Sequence, residues 1–203
     1  MANKESSFLN MVITLFLVTL IPATALGFIY ELTKGPISAA KALRKAAAIS
    51  EVVPSFNNSP GIDPVKIEVD GDTLYFYKAM NDSIVVGVAV ETFTSKGFSG
   101  KFRIMAGFLP DGTIHDITIL EHKETPGLGD KIEKSKSLDK STGLSWSSQF
   151  IGMNPDSFML AVKKDGGDVD AIAAATISSR AFCDALQRAY DGFLRVRPEL
   201  IPK

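Results

Sequence analysis

The chain has 203 residues, of which 45% are hydrophobic and 22% charged, and its formal net charge is −1. That balance excludes a disordered chain, which lacks the apolar residues to build a core. It also argues against a dedicated nucleic-acid binder, which carries a strongly basic face. A single cysteine, Cys183, rules out an intrachain disulfide and a thiolate cluster, and two histidines, His115 and His122, leave no His-rich metal site.

Mean hydropathy is +0.13, and the surplus sits at the start. Residues 8–30 contain no charge. At 1.5 Å per residue, a helix of this length crosses a bilayer core of ~30 Å. One N-terminal transmembrane helix is therefore expected, with Pro22 tolerated inside it. A signal peptide is the competing reading. Lys4 offers a weak basic n-region and Ala23-Thr24-Ala25 resembles a cleavage site. The apolar run continues past that site through Leu26, Phe28, Ile29 and Tyr30, which favours an uncleaved anchor. Charge alone does not orient it. Lys34, Lys41, Arg44 and Lys45 follow the run and only Lys4 precedes it, but the positive-inside tendency has little hold on long domains.

Residues 36–49 predict an amphipathic helix, with Pro36 in its first turn and Ile37, Ala40, Leu43 and Ala47 along one stripe. Residues 57–61, Asn-Asn-Ser-Pro-Gly, read as a loop. Five strand-like stretches follow, over residues 65–69, 73–79, 84–93, 101–109 and 113–120. The turn signals Asp70-Gly71-Asp72 and Pro110-Asp111-Gly112 mark hairpins, so the sheet is expected to be antiparallel. A short helix is expected near 128–135 and a strand over 158–162. A final helix is expected over 178–195, with Phe182, Leu186, Ala189 and Phe193 on its buried face. Strands first and helices last predict an α+β fold. The expected organisation is a tail and transmembrane anchor (1–30), a stalk helix and loop (31–60) and one domain with an antiparallel sheet and flanking helices (61–203).

Two segments are candidate sites. In Glu124-Thr125-Pro126-Gly127-Leu128-Gly129, the Pro-Gly pair suits a type II turn, and Gly129 allows close approach of backbone to a ligand. A plain strand-to-helix connection without a ligand is the commoner use of such a turn. In Ala173-Ala174-Ala175-Thr176-Ile177-Ser178, small side chains lead into the last helix, whose N-terminus would favour a phosphate. A simple cap by Ser178 or Ser179 is the alternative. His122 reads as incidental and Cys183 as core. Trp146 and Phe150 are either core or stacking residues. The chain has no Ser-His-Asp spacing, Walker loop or Gly-x-Gly-x-x-Gly.

Taken in order, Gly97-Phe98-Ser99-Gly100-Lys101, the Asp111-Gly112 hairpin, Glu124 through Gly129, and Asp170 through Ser178 resemble the membrane-anchored FMN-binding domains of the G subunit of Rnf electron-transport complexes. The related C subunit of the sodium-translocating NADH:quinone reductase is the alternative within that family. A non-redox extracytoplasmic binding or sensor module is the alternative outside it. The resemblance covers essentially the whole chain. It implies one FMN per chain, joined covalently through its phosphate to Thr176, with Glu124, Thr125, Pro126, Gly127, Leu128, Gly129, Ala173, Ala174, Ala175, Ile177 and Ser178 around it. Trp146 and Lys163 become candidates for the isoalloxazine ring. It further implies partner subunits in the membrane, a flavin transferase for maturation, no turnover by this chain alone, and a domain on the periplasmic side of a bacterial inner membrane. Members typically read Ser-Gly-Ala-Thr where this chain has Ala173-Ala174-Ala175-Thr176, so an alanine stands where glycine would permit a positive φ.

Overall fold

In the computed structural model, which describes residues 7–201, a long helix precedes a five-stranded antiparallel meander and a C-terminal helix. The basic n-region expected at Lys4 lies outside the described residues. The first helix, α1, runs unbroken over Phe8–Val52 with Pro22 and Pro36 inside it. The separate helix expected to begin at Pro36 is therefore a continuation. Pro36 supplies no N–H to the turn before it, but the Ala-, Leu- and Lys-rich sequence that follows outweighs this local loss.

The chain divides into two compact units, residues 1–43 and 44–203. In the first unit, Phe8, Phe16, Ile21 and Phe28 are all exposed. Among the described residues this is the one helix long and apolar enough to cross a membrane. Thr14, Thr19, Thr24 and Thr33 each return a hydroxyl proton to a carbonyl four residues back, at 2.7–3.0 Å. These four hydroxyls need no water partner, as a lipid environment requires.

The second unit begins with the last turns of α1. Its sheet is formed by β1 (Val65–Val69), β2 (Asp72–Asn81), β3 (Ile84–Gly97), β4 (Gly100–Phe108) and β5 (Ile114–Glu121), in that spatial order. Strand β3 lies at the centre and is buried from Gly87 to Thr94. Both faces of the sheet are covered. On one, Phe182, Leu186, Ala189 and Phe193 of the C-terminal helix (Thr176–Leu200) pack with Leu74, Phe76, Val88, Val90, Ile104 and Phe108. On the other, Ala48, Ile49, Val52 and Val53 pack with Tyr77, Ala79, Ala89 and Met105. The α1 end sits very close to β4. A Cβ built on Gly107 would lie 1.7 Å from the Val52 carbonyl oxygen.

The connection from β5 to the C-terminal helix is irregular. The short helix expected near 128–135 is a 3-10 turn, Gly129–Ile132, followed by one turn of α-helix, α2 (Lys134–Ser137). The C-terminal helix is therefore α3. The strand expected over 158–162 does not form. Instead Val162 makes one isolated bridge to Val169, with Val169 N–H donating to Ala161 O (3.0 Å) and Lys163 N–H to Val169 O (2.8 Å). That local loop-back uses the backbone groups a strand would have offered to the sheet.

A polar cluster crosses the α1-covered face. Glu91, 5% exposed, accepts from Tyr77 Oη (3.1 Å) and Arg103 (3.4 Å) and pairs with Lys45 (2.9 Å). Arg103 also forks onto Asp72 at 2.6 and 2.7 Å, and Lys101 pairs with the same carboxylate. Burial works against ionisation of Asp72. The Lys101, Thr73 and Arg103 hydrogen bonds overcome it and hold the carboxyl at about 2.

Gly107→Ala forces a methyl into backbone and should cost at least about 2 kcal/mol in urea unfolding. The Asp72 contribution is present above its unfolded value near 3.8 and is lost as pH falls toward about 2. Asp72→Asn should therefore flatten the acid side of the stability–pH profile between those values while leaving its neutral shape unchanged.

Candidate functional site

The two segments singled out in the sequence meet in space. They line one cavity of about 330 Å³, formed by Phe98, Glu124, Thr125, Leu128, Gly129, Ala174, Ala175, Thr176, Ile177 and Ser178. That volume is in the range of small-molecule sites. Of the expected residues, Pro126, Gly127 and Ala173 belong to the flanking turns rather than the lining.

Each wall has a local cause. Thr125–Leu128 is a tight turn in which Leu128 N–H donates to Thr125 O (3.2 Å) and Gly127 has φ +77°. This is the type II pattern that Pro-Gly predicts. Ile172–Ala175 is built the same way, with Ala175 N–H donating to Ile172 O (3.0 Å), but its third residue is Ala174 at φ +60°. The third wall is Phe98, in the two-residue turn Phe98–Ser99 between β3 and β4. Phe98 lies outside both segments and was not expected at the site. Its signal in the sequence is a large aromatic at a glycine-flanked hairpin tip, where a solvated turn would carry a polar residue.

Glu124 ties the walls together. It is 4% exposed. One carboxylate oxygen accepts from the Ser99 backbone N–H at 3.0 Å, and the other from the Ser178 hydroxyl. Its own N–H donates to His122 Nδ1 (3.0 Å), and His122 Nε2 meets Glu133 at 3.0 Å. His122 is thus not incidental, because it fixes the backbone that aims Glu124. Gly129 must lack a side chain here. A Cβ would lie 2.6 Å from Ser178 Oγ and 2.7 Å from Glu124 Oε2.

The cap expected from Ser178 or Ser179 is absent. Helix α3 starts at Thr176, its N-cap position is Ala175, and no side chain caps it. Ser178 is engaged by Glu124. Ser179 Oγ accepts from Ile172 N–H (2.9 Å) and donates to Ala175 O (3.1 Å). The N–H groups of Thr176, Ile177 and Ser178, in the first turn of a 25-residue helix, have no hydrogen-bond acceptor among the described residues, and these three residues line the cavity. The Thr176 side chain is half-buried, and its hydroxyl makes no hydrogen bond within the described residues. Around it stand three apolar side chains in the open: Phe98 is 67% exposed, Leu128 42% and Ile177 48%.

Trp146 and Lys163 do not line the cavity. Trp146 Nε1 donates to Asp170 O (2.6 Å), and its ring packs edge-on against Phe150 and Phe182. Lys163 pairs with the Asp170 carboxylate at 2.8 Å. Both anchor the start of the Asp170–Thr176 segment.

An open cavity that combines free helix N–H groups, an unpaired hydroxyl and an apolar rim suits a ligand with a phosphate at one end and a flat apolar ring at the other. The FMN-binding domain family matches residues 97–191, a span that contains all of these features. Full-length relatives agree. A protein from Cereibacter sphaeroides, described as the G subunit of an ion-translocating oxidoreductase complex, is 33% identical, covering 97% of this chain and 89% of its own length. Proteins with the same description from Haemophilus influenzae and Escherichia coli are 36% and 33% identical, each over 79% of this chain and 78–79% of theirs. The chain belongs to the G-subunit family of ion-translocating oxidoreductase complexes, as its sequence resemblance implies.

Gly129→Ala should displace Glu124 or Ser178. About 2 kcal/mol of stability should be lost in urea unfolding, where Gly127→Ala, with open space around it, should cost only its positive-φ strain of about 1 kcal/mol.

Proposed function

We propose that this chain is the membrane-anchored electron-transfer subunit of an ion-translocating ferredoxin:NAD+ oxidoreductase, carrying one FMN esterified to Thr176. The observation that supports it most directly is the placement of Thr176. A hydroxyl without a hydrogen-bond partner among the described residues heads an uncapped helix, at the mouth of a cavity with an apolar rim.

The residues fit the group. The N–H groups of the first α3 turn and the helix dipole would hold the phosphate. Phe98, Leu128 and Ile177 would cover apolar parts of the ring, and the Thr125–Gly129 turn would pass beside the chain between them. Ester formation needs an activated phosphoryl group. The Thr176 oxygen would bond to the FMN-side phosphorus of a flavin dinucleotide. The pyrophosphate bond would break, the nucleoside monophosphate would leave, and the hydroxyl proton would be lost to a base of the flavin transferase. An ester retains the cofactor where free flavin is scarce, which suits a domain on the periplasmic side of the inner membrane.

When bound, the flavin supplies the one- and two-electron chemistry that the side chains lack. The lone cysteine does not compete with it, since burial pushes the Cys183 thiol up to about 12 and keeps it inert. The apolar length of α1 would hold the chain among membrane-embedded partners of the complex.

Intact mass of the membrane-extracted chain, made together with a flavin transferase, should show one added FMN less water and an uncleaved N-terminal helix. Thr176→Val should remove that mass and the in-gel flavin fluorescence while leaving thermal unfolding within about 0.5 kcal/mol of the parent. Flavin retained on the Thr176→Val protein would place the attachment elsewhere.

A further inference from the structure

The two turns beside the cavity solve one backbone problem with different residues. Gly127 takes φ +77° and Ala174 takes φ +60° at the equivalent third position. Glycine meets no penalty there. An alanine brings its Cβ against the neighbouring carbonyl, so conformers with negative φ compete. Nothing in the packing of the Ala174 methyl offsets this, because Ala173 and Ala174 are both exposed.

The strain sits between two fixed points. Upstream, Asp170 is pinned through its carbonyl by Trp146 Nε1 (2.6 Å) and through its N–H by Gln149 Oε1 (2.8 Å). Downstream, Ser179 Oγ bridges Ile172 N–H and Ala175 O at 2.9 and 3.1 Å. Relaxing φ at Ala174 would break the Ala175-to-Ile172 bond of 3.0 Å. It would turn Ala175, the N-cap of α3, and re-aim the adjacent Thr176 hydroxyl.

We propose that Ala174 is the positioning residue for modification of Thr176. The balance between its left-handed turn and a relaxed turn sets the fraction of molecules that present the hydroxyl to the cavity, and alanine lowers that fraction relative to glycine. This rests on the covalent reading above. A transferase that accepts only the presenting conformer would see an acceptor KM raised by the inverse of its population, with kcat unchanged.

The test uses the full-length chain in detergent, a purified flavin transferase and FAD as the dinucleotide donor. Incorporation is followed by in-gel fluorescence across acceptor concentration. Ala174→Gly should lower the acceptor KM about fivefold at constant kcat and raise the thermal midpoint of the unmodified chain by about 2–4 °C. Ala174→Asn, which tolerates positive φ, should fall between, and Ala174→Val should raise KM and lower the midpoint. A higher midpoint with unchanged KM would show strain without a positioning role and overturn the proposal, as would a change confined to kcat. No incorporation into any of these proteins, while the Escherichia coli relative is modified in parallel, would overturn the covalent reading and this role together.

Discussion

The buried Glu124 carboxylate is the contact on which the site depends. It joins its own loop to two segments far apart in the chain: the β3–β4 turn through Ser99 N–H, and the first turn of α3 through Ser178. A buried carboxylate is costly unless its lone pairs are used. Both oxygens accept hydrogen bonds here, which offset that cost and hold the three walls in register. His122 and Glu133 extend the arrangement outward.

Helix α3 has no side-chain cap because its N-cap position is Ala175, which carries no acceptor. Ser178 and Ser179 lie within its first turns, one turned to Glu124 and the other to the Ile172–Ala175 turn. The unpaired N–H groups of the first turn then stand beside the polar side chains of Glu124, Thr125, Thr176 and Ser178 in the cavity lining.

Much of the fold is legible in the sequence. Alternating strands, the Asp-Gly and Pro-Asp-Gly turns, and the helical spacing of Phe182, Leu186, Ala189 and Phe193 all express local rules, and each of these elements forms where those rules put it. The departures fall where local rules compete with context. Pro36 has the look of a helix start because a proline fits a first turn, but the strong helix formers after it continue α1. Residues 158–162 have strand composition, but they join neither edge strand of the sheet and fold back on Val169. Trp146 and Lys163 suit ring contacts by type, and in the 3-10 turns Trp146–Phe150 and Lys163–Asp165 both bond to Asp170.

By itself, the amino-acid order determined the long apolar helix, the antiparallel meander, the family and the two segments that form the site, since each is written in periodicity or in short motifs. Tertiary structure alone decided that those segments share one cavity and that Phe98 completes it. It also decided that both serines of the last helix are engaged elsewhere and that Ala174 is held at positive φ. The reason is physical. Periodicity and turn chemistry act over a few residues, whereas Glu124 meets Ser178 across 54 positions, and only closure of the sheet against α3 brings such partners together.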